Sequence, residues 1–122
     1  MYQLSITREF IARHRLVGGD WGAENATHSH RYRADIVVEG HELDEHGFLV
    51  DIVALGNAAD DIVAQLGERV LNDLPAFDGL NPSLEHFARI FHAMLAPRVD
   101  EQRLALTVRL WENDRNWAAY RR

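Results

Sequence analysis

Alternation with a period of two dominates the first forty residues. Tyr2, Leu4, Ile6, Phe10, Ala12, His14 and Leu16 share one parity, which predicts a long first strand. The pattern breaks at Arg8, where a bulge or a partly wet middle of the strand is expected. A loop rich in glycine and polar residues, "VGGDWGAENAT", follows. A second alternating run from about His28 to Gly40 sets His28, His30, Tyr32, Ala34, Ile36 and Val38 on one face. Its other face carries Arg31, Arg33, Asp35 and Glu39 and is expected to be at least partly solvated.

After the turn "HELDEHG" the period lengthens. Leu55, Ala59, Ile62, Val63, Leu66 and Val70 repeat with helical spacing from Asp51, a suitable N-cap, while Gly56 weakens the first turns and Gly67 the end. "NDLPAFDGLNPS" reads as a loop. A second helix starts at Pro82 and Ser83 with Asn81 or Ser83 as its cap. Its stripe is Leu84, Phe87, Ala88, Phe91, Met94 and Leu95, and Pro97 stops it. "RLALTVRLWE" alternates again, with Leu104, Leu106, Val108 and Leu110 on one side, and "NDRN" turns into a short fourth strand, "WAAYRR". The order ββααββ predicts an α+β fold in which two helices cover one face of a four-stranded antiparallel sheet. At 122 residues, one domain spanning residues 1–122 is expected.

Composition narrows the chemistry. Hydrophobic residues at 47% and charged residues at 26% describe an ordinary globular chain. A net charge of -6 argues against broad binding of nucleic acid or anionic membranes, which needs a basic surface. There is no cysteine, hence no disulfide and no thiolate, and no lysine, hence no Schiff base. "MYQLSITREF" lacks the apolar core of a signal peptide, so a cytoplasmic location is expected.

The histidines carry the most specific signal. Side chains two apart on a strand point the same way, with Cβ atoms about 6–7 Å apart, so His28 and His30 can reach one metal ion from one side. His14 on the first strand would add a third ligand and leave a fourth position open for water or substrate. Nitrogen-only ligation with an open position suits a catalytic zinc ion. His41, His46, His86 and His92 share no spacing and point to no site. "GGDWG" lacks the spacing and the lysine of a phosphate-binding loop.

The segments "FIARHRL", "ENATHSHRY", "GFLVDIVAL", "VLNDLPAF", "NPSLEHFA" and "VRLWEN", closed by "WAAY", run in an order that spans essentially the whole chain. In that order they resemble the family of 6-pyruvoyltetrahydropterin and 6-carboxytetrahydropterin synthases. The resemblance implies the ββααββ T-fold (tunnelling fold), with His14, His28 and His30 as zinc ligands; Ser29 replaces the glycine usual between the latter two. It implies that Glu112, in "VRLWEN", anchors the pterin ring, because one carboxylate can accept both donors of the ring's amino edge. Ser83 and Glu85 fall near a segment that helps to form the pterin pocket in the family. Trimers stacked into hexamers are implied too, with the active site at a subunit interface and Glu112 meeting a zinc site built by a different chain.

Two departures bear on the reaction. The family's usual catalytic cysteine lies four residues before the first histidine of the pair, where this chain has Glu24. The usual Asp-His pair is replaced by Gly67 and Glu68. A carboxylate is a competent base, since its ordinary pKa of ~4.3, against ~8.5 for a thiol, leaves it ionised near neutrality. Family variants with glutamate at the cysteine position are associated with cleaving the side chain of dihydroneopterin-type substrates. The resemblance therefore implies a zinc-dependent lyase or synthase acting on a dihydroneopterin or dihydroneopterin triphosphate side chain, in pterin, folate or queuosine-type biosynthesis. Glu24 and Glu68 are its candidate bases. The alternative is a zinc-containing T-fold protein that binds a pterin or purine without turning it over.

Overall fold

The structure is a computed structural model describing all 122 residues, Met1–Arg122. Strands β1 (Tyr2–His14) and β2 (His28–Gly40) pair antiparallel along their whole length, from Tyr2 opposite Gly40 to His14 opposite His28. Helices α1 (Ile52–Leu66) and α2 (Leu84–Leu95) follow, then strands β3 (Ala105–Trp111) and β4 (Trp117–Arg121). The sheet order is β1-β2-β3-β4, each neighbouring pair antiparallel. The ββααββ order and the α+β class are as expected. No helix is long and apolar enough to cross a membrane.

The two parities of the sheet have different fates. Phe10, Ala12, Tyr32, Ala34, Ile36, Val38, Leu106, Val108 and Leu110 are buried beneath the helices. Helix α2 covers them with Phe87, Ala88, Phe91 and Leu95, and Phe87 packs edge-on against both Phe10 and Tyr32. Truncating such a residue to alanine costs about 3–5 kcal/mol. Asp51 caps α1 by accepting from Val53 N and Ala54 N, and Ser83 caps α2 by accepting from His86 N. Asn81 is not that cap: its side-chain oxygen instead accepts from Val17 N.

Several local expectations are corrected. β1 has no bulge at Arg8, which stays in unbroken register opposite Ala34. The arginine lies under α1, its Nε 2.6 Å from Asp60 Oδ1, and a Cβ on Gly56 would stand 2.8 Å from its Nη2. The glycine makes room for the cation. β1 ends at His14 rather than Leu16. Val70 lies beyond α1, where its backbone bridges to Arg13 at the outer edge of β1. The "NDLPAFDGLNPS" loop contains short 3-10 turns at Leu71–Asp73 and Pro75–Phe77, which bury Leu71 and Phe77.

The helix-free face is less wet than its sequence suggests. Asp35 is only 8% exposed and accepts hydrogen bonds from Thr7 Oγ1 at 2.9 Å and Trp111 Nε1 at 2.8 Å. Arg33 pairs with the same carboxylate at 3.3 Å and lies over the Trp111 ring, as Arg109 lies over Trp117.

His92, which the sequence marks for nothing, is fully buried on α2. Its Nε2 lies 3.2 Å from the Leu106 carbonyl oxygen and 3.7 Å from Glu101, and Tyr120 packs edge-on against the ring. Burial holds its pKa below the ordinary histidine value, against the raising effects of the Leu106 carbonyl and Glu101. A lowered folded pKa means that the unfolded chain takes up the proton first as pH falls. The stability tied to neutral His92 is therefore complete above about pH 6.5 and is lost as pH drops from there toward the folded value. Urea unfolding of wild type and His92→Gln across that range should show a shallower acid decline in the variant; parallel declines would contradict this account.

Candidate metal centre

The β1–β2 register builds the centre. His14 stands directly opposite His28, and Ala12, with no bulk beyond Cβ, stands opposite His30. All three imidazoles share the helix-covered parity but lie at the end of the sheet, beyond the buried apolar rows. His14 is 3% exposed, while His28 and His30 are half-buried. The rings meet edge to face with centroids 4.6, 5.0 and 4.9 Å apart. One nitrogen from each ring falls in a group whose members all lie within 4.8 Å of one another.

Hydrogen bonding fixes which nitrogens face inward. His14 Nδ1 is 3.0 Å from the Pro82 carbonyl oxygen, and His28 Nδ1 is 2.8 Å from the Ala26 carbonyl oxygen. A carbonyl only accepts, so both Nδ1 atoms carry the proton and both Nε2 atoms present lone pairs. Those two Nε2 atoms lie 3.0 Å apart. Facing lone pairs at that distance repel unless a cation or a shared proton lies between them. Nitrogens bound at 2.0–2.1 Å to one tetrahedral ion would be about 3.3 Å apart, so the donor set fits a metal such as zinc. Carbonyl partners behind metal-binding imidazoles are the usual way of setting tautomer and ring orientation. Burial also lowers the pKa of His14, opposed by the Pro82 carbonyl and reinforced by His28 and His30, which favours the neutral, ligating ring.

The centre opens into a depression of about 320 Å³ whose lining includes His14, Glu24, Ser83, Glu85, Glu112 and Trp117. Glu24 belongs to a 3-10 turn, Gly22–Asn25, tied down by Leu16 N donating to the Glu24 carbonyl and by Asn25 Nδ2 donating to the Leu16 and Gly19 carbonyls. Its carboxylate is close enough to raise the pKa of His14. Glu112 follows β3, and the turn after it is held by Asn113 Oδ1, which accepts from Arg115 N and Asn116 N at 2.8 Å each. A single chain thus brings Glu112 and His14 to one depression. Ser83 lines it too, with its hydroxyl engaged in capping α2. A larger hollow of about 420 Å³ at the other end of the sheet, between Glu39 and Arg122, contains none of these residues.

Glu68 lies elsewhere. It has a left-handed backbone with φ 61°, its N–H donates to the Ile11 carbonyl at 2.7 Å, and its own carbonyl accepts from Arg13 Nη2. It borders a different hollow, with Glu9, Ile11 and Arg31. Four residues at or behind the centre escaped the sequence reading: Tyr32, Pro82, Asn116 and Trp117. Only Tyr32 had a signal there, its parity with His28 and His30.

The family model for 6-pyruvoyl tetrahydropterin synthase matches residues 3–122. The chain belongs to this family. Its fold superposes on 6-pyruvoyl tetrahydropterin synthase from Caenorhabditis elegans with a TM-score of 0.90 at 20% identity, covering 99% of this chain and 95% of that one. The Plasmodium vivax synthase, in a mutant with its catalytic glutamate replaced by alanine, gives 0.82 at 15% identity over 99% and 97% of the two chains. The Plasmodium falciparum synthase gives 0.81 at 13% identity, again over 99% and 97%. No curated protein matches the chain. At these identities the structural likeness establishes the T-fold.

For this member of the 6-pyruvoyl tetrahydropterin synthase family, metal uptake should be measurable without any substrate. Zinc at a hundred times its dissociation constant should stabilise the chain by about 2.7 kcal/mol. His28→Ala, which alters a half-buried side chain, should remove most of that gain in a thermal melt. An equal zinc-induced shift in both proteins would exclude His28 as a ligand.

Proposed function

We propose that the chain is a zinc-dependent enzyme acting on the side chain of a reduced pterin, by lyase or synthase chemistry on a dihydroneopterin-like or dihydroneopterin triphosphate-like substrate. The observation that carries this reading is the pair of Nε2 lone pairs 3.0 Å apart on His14 and His28, with His14 lining the depression that also holds Glu24 and Glu112. Family membership supports the pterin as substrate class.

Each residue then has a distinct task. The Glu112 carboxylate accepts from the 2-amino group and N3–H of the pterin, fixing the ring so that its side chain extends toward the histidines. Zinc held by His14, His28 and His30 would supply Lewis-acid polarisation of a side-chain hydroxyl and lower its pKa. Glu24 acts as the base. In side-chain cleavage it takes the proton of the hydroxyl beside the bond that breaks, and that oxygen becomes an aldehyde on the departing fragment. The electron pair of the broken C–C bond passes to the carbon attached to the ring, where conjugation spreads it, and a proton returned there completes the product. A catalytic carboxylate has a precedent in the Plasmodium vivax relative, whose mutated catalytic residue is a glutamate. Ser83, at the head of α2, lines the wall beside the ring. Glu68, remote from the histidines of its own chain, would reach a centre only across a subunit boundary in a trimer or hexamer.

The test is incubation of zinc-loaded protein with dihydroneopterin and, separately, its triphosphate, following release of two-carbon or three-carbon fragments and of triphosphate. Glu24→Gln should lower kcat by about 10²–10⁴-fold, the usual worth of a positioned acid or base, with zinc content unchanged. Glu112→Ala should act chiefly on KM. A wild-type protein that binds both pterins and returns them intact would instead be a non-catalytic pterin-binding protein.

A further inference from the structure

Tyr32 is buried, on the same face of β2 as His28 and His30, and its ring is held on several sides. Phe10 stacks on it with centroids 5.7 Å apart, and Phe87 meets it edge-on at 4.9 Å. Toward the metal centre it meets His30 at 5.7 Å and His14 at 6.2 Å, both edge to face. A phenylalanine would fill this aromatic cluster without burying a hydroxyl, and burying an unpartnered hydroxyl is unfavourable. The hydroxyl has one hydrogen-bond contact, His14 Nδ1 at 3.3 Å.

That nitrogen already lies closer to the Pro82 carbonyl, at 3.0 Å. If Nδ1 were the acceptor and Tyr32 the donor, the Nδ1 lone pair would face the carbonyl oxygen, and the proton would sit on Nε2, where a metal must bind. With the proton on Nδ1, both oxygens accept from it and Nε2 is free. The shorter distance to Pro82 selects the second arrangement. The phenol proton then turns away from His14. A phenol's ordinary pKa of ~10 leaves the hydroxyl neutral near pH 7.

We propose that Tyr32 is a positioning residue for the metal centre, its hydroxyl and the Pro82 carbonyl together holding His14 with Nδ1 protonated and Nε2 aimed at the ion. The inference rests on the metal reading of the proposed function and adds to it a link between the core and the ion. The carbonyl is delivered by the residue just before the α2 cap, and the phenol by the aromatic cluster under α2, so the docking of one helix sets the orientation of a ligand on β1. Outer partners of this kind are worth about 10–100-fold in metal affinity.

The test is zinc titration of wild type and Tyr32→Phe in competition with a chromophoric chelator, without substrate. The variant should bind zinc about 10–100-fold more weakly. The thermal midpoint of the two metal-free proteins should stay close, since the ring that fills the core is kept. Affinities within twofold of each other would overturn the role of Tyr32 while leaving the metal centre standing. A wild type that takes up no zinc would overturn the metal reading, and this inference with it. A second measurement needs no variant: nitrogen-15 NMR of metal-free wild type should find the His14 proton on Nδ1, and a proton on Nε2 there would also overturn the assignment.

Discussion

The pairing of β1 with β2 in the register that sets His14 opposite His28 is the constraint on which the site depends. Side chains alternate between faces with a period of two, so a slip of one residue would send His14 to the helix-free face while His28 and His30 stayed behind. The same slip would turn Phe10 and Ala12 out of the core. Apolar burial along one parity therefore enforces the geometry of the polar end. The histidine cluster needs no separate device to bring its strands together, because the core beneath the helices has already fixed them.

What the register leaves undone is completed by segments outside the sheet. Glu24 comes from a short turn before β2, Ser83 and Glu85 from the head of α2, and Glu112 from the exit of β3. Loops at one end of a rigid scaffold commonly carry binding and catalytic groups, since they vary without disturbing the packing. Here each is tied down: Asn25 bonds the backbone across the first, Ser83 caps the second, and Asn113 closes the third. The depression is thus preorganised to a degree that its polar composition alone would not suggest.

Much of this was legible in the chain. The second strand is legible at its observed limits, His28–Gly40, because its alternation is uninterrupted and a polar loop precedes it. Asp51 and Ser83 were readable as caps because a short acceptor side chain before a helical stripe serves the first free N–H groups. The convergence of the three histidines is legible because strand parity turns spacing into direction. The failures share a cause. Asp35 is buried by Thr7 and Trp111, 28 and 76 residues away in sequence, and His92 by Leu106 and Tyr120 on strands that follow it. The carbonyls that orient His14 and His28 belong to backbone, which carries no residue-type signal. Glu68 takes a left-handed conformation without being glycine, so nothing in its identity announces the turn.

The contact between Arg8 and Gly56 has a consequence for how the fold can vary. The cation occupies the space where a side chain on α1 would otherwise lie, and Asp60, one turn further along, holds it there. A methyl group on Gly56 would press the guanidinium aside and loosen its ion pair, whereas an apolar residue in place of Arg8 would leave the glycine with no purpose and a gap beside it. Positions 8, 56 and 60 are therefore physically coupled, since a change at one removes the reason for the residues at the other two. A relative with a leucine in the middle of its first strand is free to carry a bulkier residue where this helix has none, and to lose the acid as well.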